Sequence, residues 1–257
     1  MLALIKLRKY DEYTFTHSLN VASLAISFGR HVGLPRKELK RLGLGAIFHD
    51  LGKIHIPEKI LCKAGKLDDQ EFSVIKMHPD IGCSILAEQY PDLPSDVVLI
   101  VRHHHERQDG SGYPTAMSGS QIPPFITISG MCDVYDALSS DRVYHKGMLP
   151  HEALKVVFSL RVNHFPPEWV EKFVQCLGIY PIGTTVRLNS GEVAVVMTIN
   201  TSNLLQPVLR LILDADGRFL SMIRDLDLSE PRYKHKKIHS VLDPTKYGID
   251  PAGCFLN

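Results

Sequence analysis

The chain has 257 residues, of which 44% are hydrophobic and 22% charged, with a formal net charge of +1. That length serves one large domain, or one domain with a small appendage, and the composition is that of an ordinary globular protein. A near-neutral balance excludes a protein built to coat long nucleic-acid duplexes by neutralising phosphates, yet leaves room for a small phosphate ligand held by local basic residues.

The opening MLALIKLRKYDEYTF has too short an apolar stretch for a signal peptide. It reads as a helix already under way, so an N-terminal regulatory region is expected upstream. From Thr14 to Val32 apolar residues fall at helical spacing (Val21, Leu24, Ala25, Phe28), and Gly33 with Pro35 stops the helix. A second helix starts after Pro35 and runs through Leu39, Leu42 and Ile47 into His49-Asp50. Further helices are predicted over 69–78, 79–89, 95–105, 124–139, 150–162 and 167–177, with a long polar linker at 106–123. The pattern then changes. Residues 185–188, 192–199 and 208–214 read as short strands, with turn chemistry at 189–191 and 214–217. The expected organisation is mainly α: a helical domain over 1–180, a small antiparallel β-rich subdomain over 181–228, and an irregular basic tail over 229–257. The five cysteines are scattered and form no C-x-x-C pair, which suits a reducing cytoplasm. No apolar run approaches the roughly 20 residues of a membrane span.

Thirteen histidines are the unusual count, and His49, His78, His103, His104 and His105 crowd one central stretch together with several aspartates. Imidazole nitrogen and carboxylate oxygen both bind borderline divalent metals, and an aspartate can bridge two ions. An adjacent His-Asp pair is weak evidence alone. Here it lies in HDLGK (49–53) at a helix end, and His17, His78, His104, His105 and Asp133 each lie on or at the end of a predicted helix. Separate helices of a bundle can aim such ligands at one point. Neighbours on a helix are about 100° apart, so the run HHHE (103–106) cannot face one way; His104 and His105 are read as ligands and His103 as lying outside. Asp133 sits in an otherwise apolar helix, where an unpaired carboxylate would be costly. A metal or a basic partner must answer for it, and a metal is favoured. The DGSGYP turn (109–114) needs its glycines for the turn at least as much as for contact. Tyr113, an aromatic in an exposed loop, would border a ligand or receive a partner.

These motifs, in order over roughly residues 10–175, resemble the HD-GYP family: YTFTHS (13–18), HDLGK, Ile56-Pro57, Ile60-Leu61, KAGKL (63–67), HP-x-x-G (78–82), HHERQDGSGYP (104–114) and DVYDALSSDRVY (133–144). The segment YPIGTTVRLNSGEVAVV (180–196) is similar to what usually follows in that family. The resemblance implies an HD-type helical bundle and a metal-dependent phosphodiesterase. Its substrate would be a cyclic dinucleotide, cyclic di-GMP or 3′,3′-cyclic GMP-AMP, opened to the linear dinucleotide by a metal-bridging hydroxide. Carried onto matching positions, His17, His49, Asp50 and Asp133 would hold one ion, and Asp50 would bridge to a second held by His78, His104 and His105. Lys53 would contact a phosphate oxygen and Arg142 the second phosphate. His145 stands where the family has a further basic residue, so Lys146 takes that part. Tyr13 replaces the glutamate of trinuclear members, which points to two divalent ions (iron, manganese, nickel, cobalt or zinc). The family also implies contact between the Gly-Tyr-Pro loop and a diguanylate cyclase domain. Two other readings compete. Another HD-type nucleotide phosphohydrolase would not explain HHE-x-x-DGSGYP, and a catalytically weak cyclic-dinucleotide sensor or partner-docking module would show lost ligands.

Overall fold

The computed structural model of the protein describes residues 12–63, 65–141 and 146–255. The expected phosphate ligand Arg142 and the neighbouring His145 therefore lie outside the described residues. The chain divides into two compact units, one formed by residues up to 147 together with 157–170, the other by 148–156 and the residues from 171.

The first unit is helical: α1 (Glu12–His31), α2 (Arg36–Phe48), a 3-10 turn (Leu51–His55), α3 (Glu58–Leu61), α4 (Asp69–Ile75), α5 (His78–Gln89), α6 (Ser95–His103) and α7 (Pro124–Ser139). Prolines punctuate it. Pro35, Pro57, Pro94 and Pro123 each stand at the N-cap of the helix that follows, where a residue without an N–H loses nothing. α4 has the other kind of start, a reciprocal capping box between Asp68 and Glu71. α1 ends as expected, with the Leu34 amide donating back to the Gly29 carbonyl. Val21, Ala25 and Phe28 of α1, Leu42 and Ala46 of α2, Ile100 of α6 and Ile128 and Met131 of α7 are all fully buried. α1 packs on α2 and α7, α2 on α6, and α5 on the 3-10 turn. One boundary differs from expectation. His78 begins α5 instead of ending the helix before it, because Pro79 is tolerated in a first turn and has no amide to lose there.

α8 (Pro150–Ser159) and α9 (Pro167–Leu177) are each divided between the two units. The second unit's sheet holds β1 (Thr185–Leu188), β2 (Val193–Thr198), β3 (Val208–Leu213), β4 (Phe219–Asp227) and β5 (Ile238–Val241), in the antiparallel order β4-β3-β2-β1-β5. It is buried on both faces. Val186, Leu188, Ala194, Val196, Leu209, Leu211 and Leu226 pack on one side, and Val193, Val195, Leu213 and Ile249 on the other. The stretch 229–257, expected as an irregular tail, supplies β5: Val241 pairs with Val186 and Ile238 with Leu188. Four residues beside a basic run carry too little alternation to show as a strand. Among the described residues no helix is long and apolar enough to cross a membrane.

Candidate metal centre

The HDLGK segment turns a corner. α2 ends at Phe48, His49 caps it, and Asp50 caps the 3-10 turn that follows. Gly52 is required there: a Cβ on it would lie 1.9 Å from the His78 carbonyl oxygen and 2.7 Å from the Gly82 amide nitrogen. The turn thus crosses the start of α5 in backbone contact, glycine against glycine. The crossing leaves His78 Nε2 3.3 Å from Asp50 Oδ1. His104 caps α6 at its C-terminus, with His105 next, while His17 and Asp133 project from the middles of α1 and α7.

Three of the histidines are oriented in one way. Nδ1 of His49 donates to the Ala46 carbonyl at 2.7 Å, His78 to Ile75 at 2.7 Å and His104 to Val101 at 3.0 Å. A carbonyl oxygen only accepts, so Nδ1 carries the hydrogen and Nε2 faces the centre. His17, inside a helix rather than at its end, is oriented by a side chain. Its Nδ1 donates instead to Asp136 Oδ2 at 2.7 Å, leaving Nε2 3.0 Å from Asp133 Oδ1. Asp136 Oδ1 in turn accepts from the Ser140 hydroxyl at 2.9 Å.

Asp50 is the hub. Its Oδ1 faces Nε2 of His78 (3.3 Å) and His104 (3.9 Å), and its Oδ2 faces Nε2 of His49 (3.3 Å) and His17 (3.7 Å), with the Lys53 ammonium at 2.6 Å. Asp133 Oδ1 lies 3.7 Å from His49 Nε2, and its Oδ2 lies 3.8 Å from His105 Nδ1. Three sets of donors each converge within 4.8 Å: Asp50 with His78, His104 and His105; His17 with His49 and Asp50; and His49 with His104 and Asp133. Every residue the sequence nominated as a metal ligand is therefore in this cluster.

The chemistry of the cluster fits a cation. Asp50 Oδ1 and His49 Nε2 are fully buried and have no hydrogen-bond partner among the described residues, a cost that a divalent ion would remove. Burial pushes the imidazole of His78 down to about 3 and of His105 down to about 4, and holds His104 well below its usual range. These rings therefore offer neutral nitrogens near pH 7. Burial opposes ionisation of Asp50 and Asp133 as well, but His49 and Lys53 beside the first, and His17 and His49 beside the second, hold both carboxyls well below the usual range. His49 is the exception among the rings. Burial works against its charge, yet Asp50 and Asp133 raise it to about 10, so a metal there must displace its proton.

Around the cluster, Tyr113 is half-buried, not exposed as expected. Its ring turns inward, with centroids 4.6 Å from His105 and 6.5 Å from His78. The loop closes this tightly because Gly112 has no side chain: a Cβ would come within 2.5 Å of the Arg107 nitrogen and the Glu106 Cα. The buried Glu106 carboxylate pins the loop, accepting from the Thr115 amide (2.8 Å), the Thr115 hydroxyl (2.7 Å) and the Met117 amide (3.0 Å). His103 packs beside that carboxylate, away from the centre, with Nδ1 3.5 Å from Glu106 Oε1. Lys146 is exposed. Tyr13 stacks on His17, centroids 5.9 Å apart and planes 8° from parallel. Sequence reasoning missed Asp136 and Glu106. A second aspartate one helical turn beyond Asp133, on an otherwise apolar helix, was the available signal for the first. The acidic end of HHHE was the signal for the second.

Residues 3–168 match the family model of the HD domain, and residues 185–248 that of the KOW domain associated with the HD domain. The chain belongs to the HD domain family. Within it, the motif set is that of the HD-GYP proteins. A cyclic di-GMP phosphodiesterase of Pseudomonas aeruginosa is 40% identical over 85% of this chain and 52% of that protein. A 3′3′-cGAMP-specific phosphodiesterase of Vibrio cholerae is 33% identical over 63% of this chain and 31% of that one. The HD domain of the Listeria monocytogenes phosphodiesterase PgpH, solved in complex with cyclic-di-AMP, shares the fold with a TM-score of 0.54 at 17% identity, over 68% of this chain and 93% of that one. The chain spans about half the length, or less, of these curated relatives.

Proposed function

We propose that this chain is a metal-dependent phosphodiesterase that opens a cyclic dinucleotide, cyclic di-GMP or 3′,3′-cyclic GMP-AMP, to the linear dinucleotide at a two-metal centre bridged by Asp50. The observation that carries this reading is the division of Asp50: one carboxylate oxygen faces His78 and His104, the other His49 and His17. On this reading His17, His49 and Asp133 complete one half of the centre, and His78, His104 and His105 the other. Bound cations would supply Lewis acidity toward phosphoryl oxygens and lower the pKa of water at the site. The activities for which the relatives are named support the substrate class.

The chain's own groups do the rest. Lys53 is held on Asp50 Oδ2 with its side chain still 22% exposed, so its ammonium can meet an arriving phosphoryl oxygen and stabilise the charge that develops there. Tyr113, pressed on His105, walls the centre on one side. Arg142 and Lys146 would grip the second phosphate. Two ions are preferred to three because Tyr13 offers His17 a ring face where a third ion would want a carboxylate. A diguanylate cyclase domain meeting the Gly-Tyr-Pro loop would touch its exposed positions Ser111, Thr115 and Ala116. A cytoplasmic location is the reading that this substrate class supports.

The test is turnover of both cyclic dinucleotides by metal-replete protein of measured metal content, beside Asp50→Ala. At least one should be hydrolysed by the parent and neither by the variant. A metal-replete parent that turns over neither would sink the proposal in favour of a sensor.

A further inference from the structure

Next to the donor cluster lies an aromatic corner of which the roles above use Tyr113 alone. α4 has no buried residue; its capping box and the pairing of Lys63 with Glu71 at 2.6 Å hold it in place. From it Phe72 projects with 42% of its surface exposed, and Met77, 55% exposed, follows the helix. The Phe72 ring meets Tyr113 nearly edge-on, at 83° and 6.4 Å between centroids. The Lys76 ammonium stands over both rings, 4.6 Å from the Phe72 centroid and 5.8 Å from that of Tyr113. The rings thus form a row leading outward from the centre: His105, Tyr113, Phe72.

A Lys–Phe pair four residues apart steadies a short helix by itself. That accounts for the pair, but not for an exposed phenyl ring held against the residue that walls the metal centre. We propose that Phe72, Lys76 and the edge of Tyr113 form a purine-base subsite that favours guanine. The inference rests on the cyclic-dinucleotide reading, since a phosphodiester held at the cluster carries its base one sugar away from the phosphorus, and the ring row starts at the cluster's edge. Phe72 supplies the stacking face, which takes any base once the Lys76 ammonium now standing over the ring swings to the edge of that base. Lys76 supplies discrimination: guanine offers two adjacent acceptors, O6 and N7, to an ammonium, whereas adenine sets an amino donor beside N7.

Calorimetric binding of GMP, AMP and ribose 5-phosphate to the metal-loaded chain tests this without requiring turnover. The parent should bind GMP on the order of tenfold more tightly than ribose 5-phosphate, the scale of one stacked base, and more tightly than AMP. Phe72→Ala should bring GMP close to ribose 5-phosphate, Phe72→Trp should restore the gap, and Lys76→Met should erase the difference between GMP and AMP. Equal binding of GMP and ribose 5-phosphate by the parent, or unchanged GMP binding by Phe72→Ala, overturns the subsite even if cyclic di-GMP is hydrolysed. Base discrimination that follows these variants in a chain that hydrolyses nothing supports the subsite and overturns the phosphodiesterase reading instead.

Discussion

At the scale of single residues, the centre depends on groups that touch no ligand. Asp136 acts on the proposed metal through His17, and partners of this kind are worth roughly 10- to 100-fold in metal affinity. Asp136→Ala is therefore expected to lower metal content toward one ion per chain, while Asp136→Asn, which keeps an acceptor oxygen, should retain most of it; equal metal content in parent and both variants would refute the positioning role. Lys53→Ala should cut kcat by about 100- to 1000-fold, the scale of one lost oxyanion donor, with metal content unchanged. Titration gives a third expectation, for chelator-treated protein. His78 and His105, lowered to about 3 and 4, contribute stability that is present above their unfolded pKa of 6.5 and is lost as pH falls toward those values. His49, raised to about 10, contributes stability that is present below 6.5 and is lost as pH rises toward 10. Denaturant midpoints should accordingly peak near pH 6.5 and be lower at both pH 4.5 and pH 9; a flat profile would contradict these assignments.

At the scale of elements, the crossing of the 3-10 turn over α5 sets the distance between the two halves of the centre. Gly52→Ala puts a methyl group where the His78 carbonyl already is. It should cost about 2 kcal/mol or more, as overpacking against unyielding backbone does, and a thermal melt with a metal titration would show stability and metal binding falling together. The helices were legible because their apolar spacing is long and their proline starts are unambiguous. The members of the donor cluster were legible because histidines and aspartates in those positions have few other uses. Asp136 and Glu106 were not, since a residue that acts by holding another has no spacing of its own to read. β4 escaped for a different reason. The stretch Phe219–Ile223 leaves apolar side chains exposed, so it lacks both the continuous burial of β2 and the alternation of β3.

At the scale of the molecule, a helical part followed by a small antiparallel sheet was legible in the sequence. Strand β5 was not, because it comes from the C-terminal stretch read as irregular. Local periodicity reports what a segment forms, not which distant strand it will pair with. The backbone carbonyls that orient His49, His78 and His104 have a consequence for how such a chain can change over time. No point mutation deletes a main-chain oxygen, so those three orientations are insulated from drift. The fourth rests on the side chain of Asp136, which leaves one half of the centre open to gradual detuning while every coordinating residue is still in place.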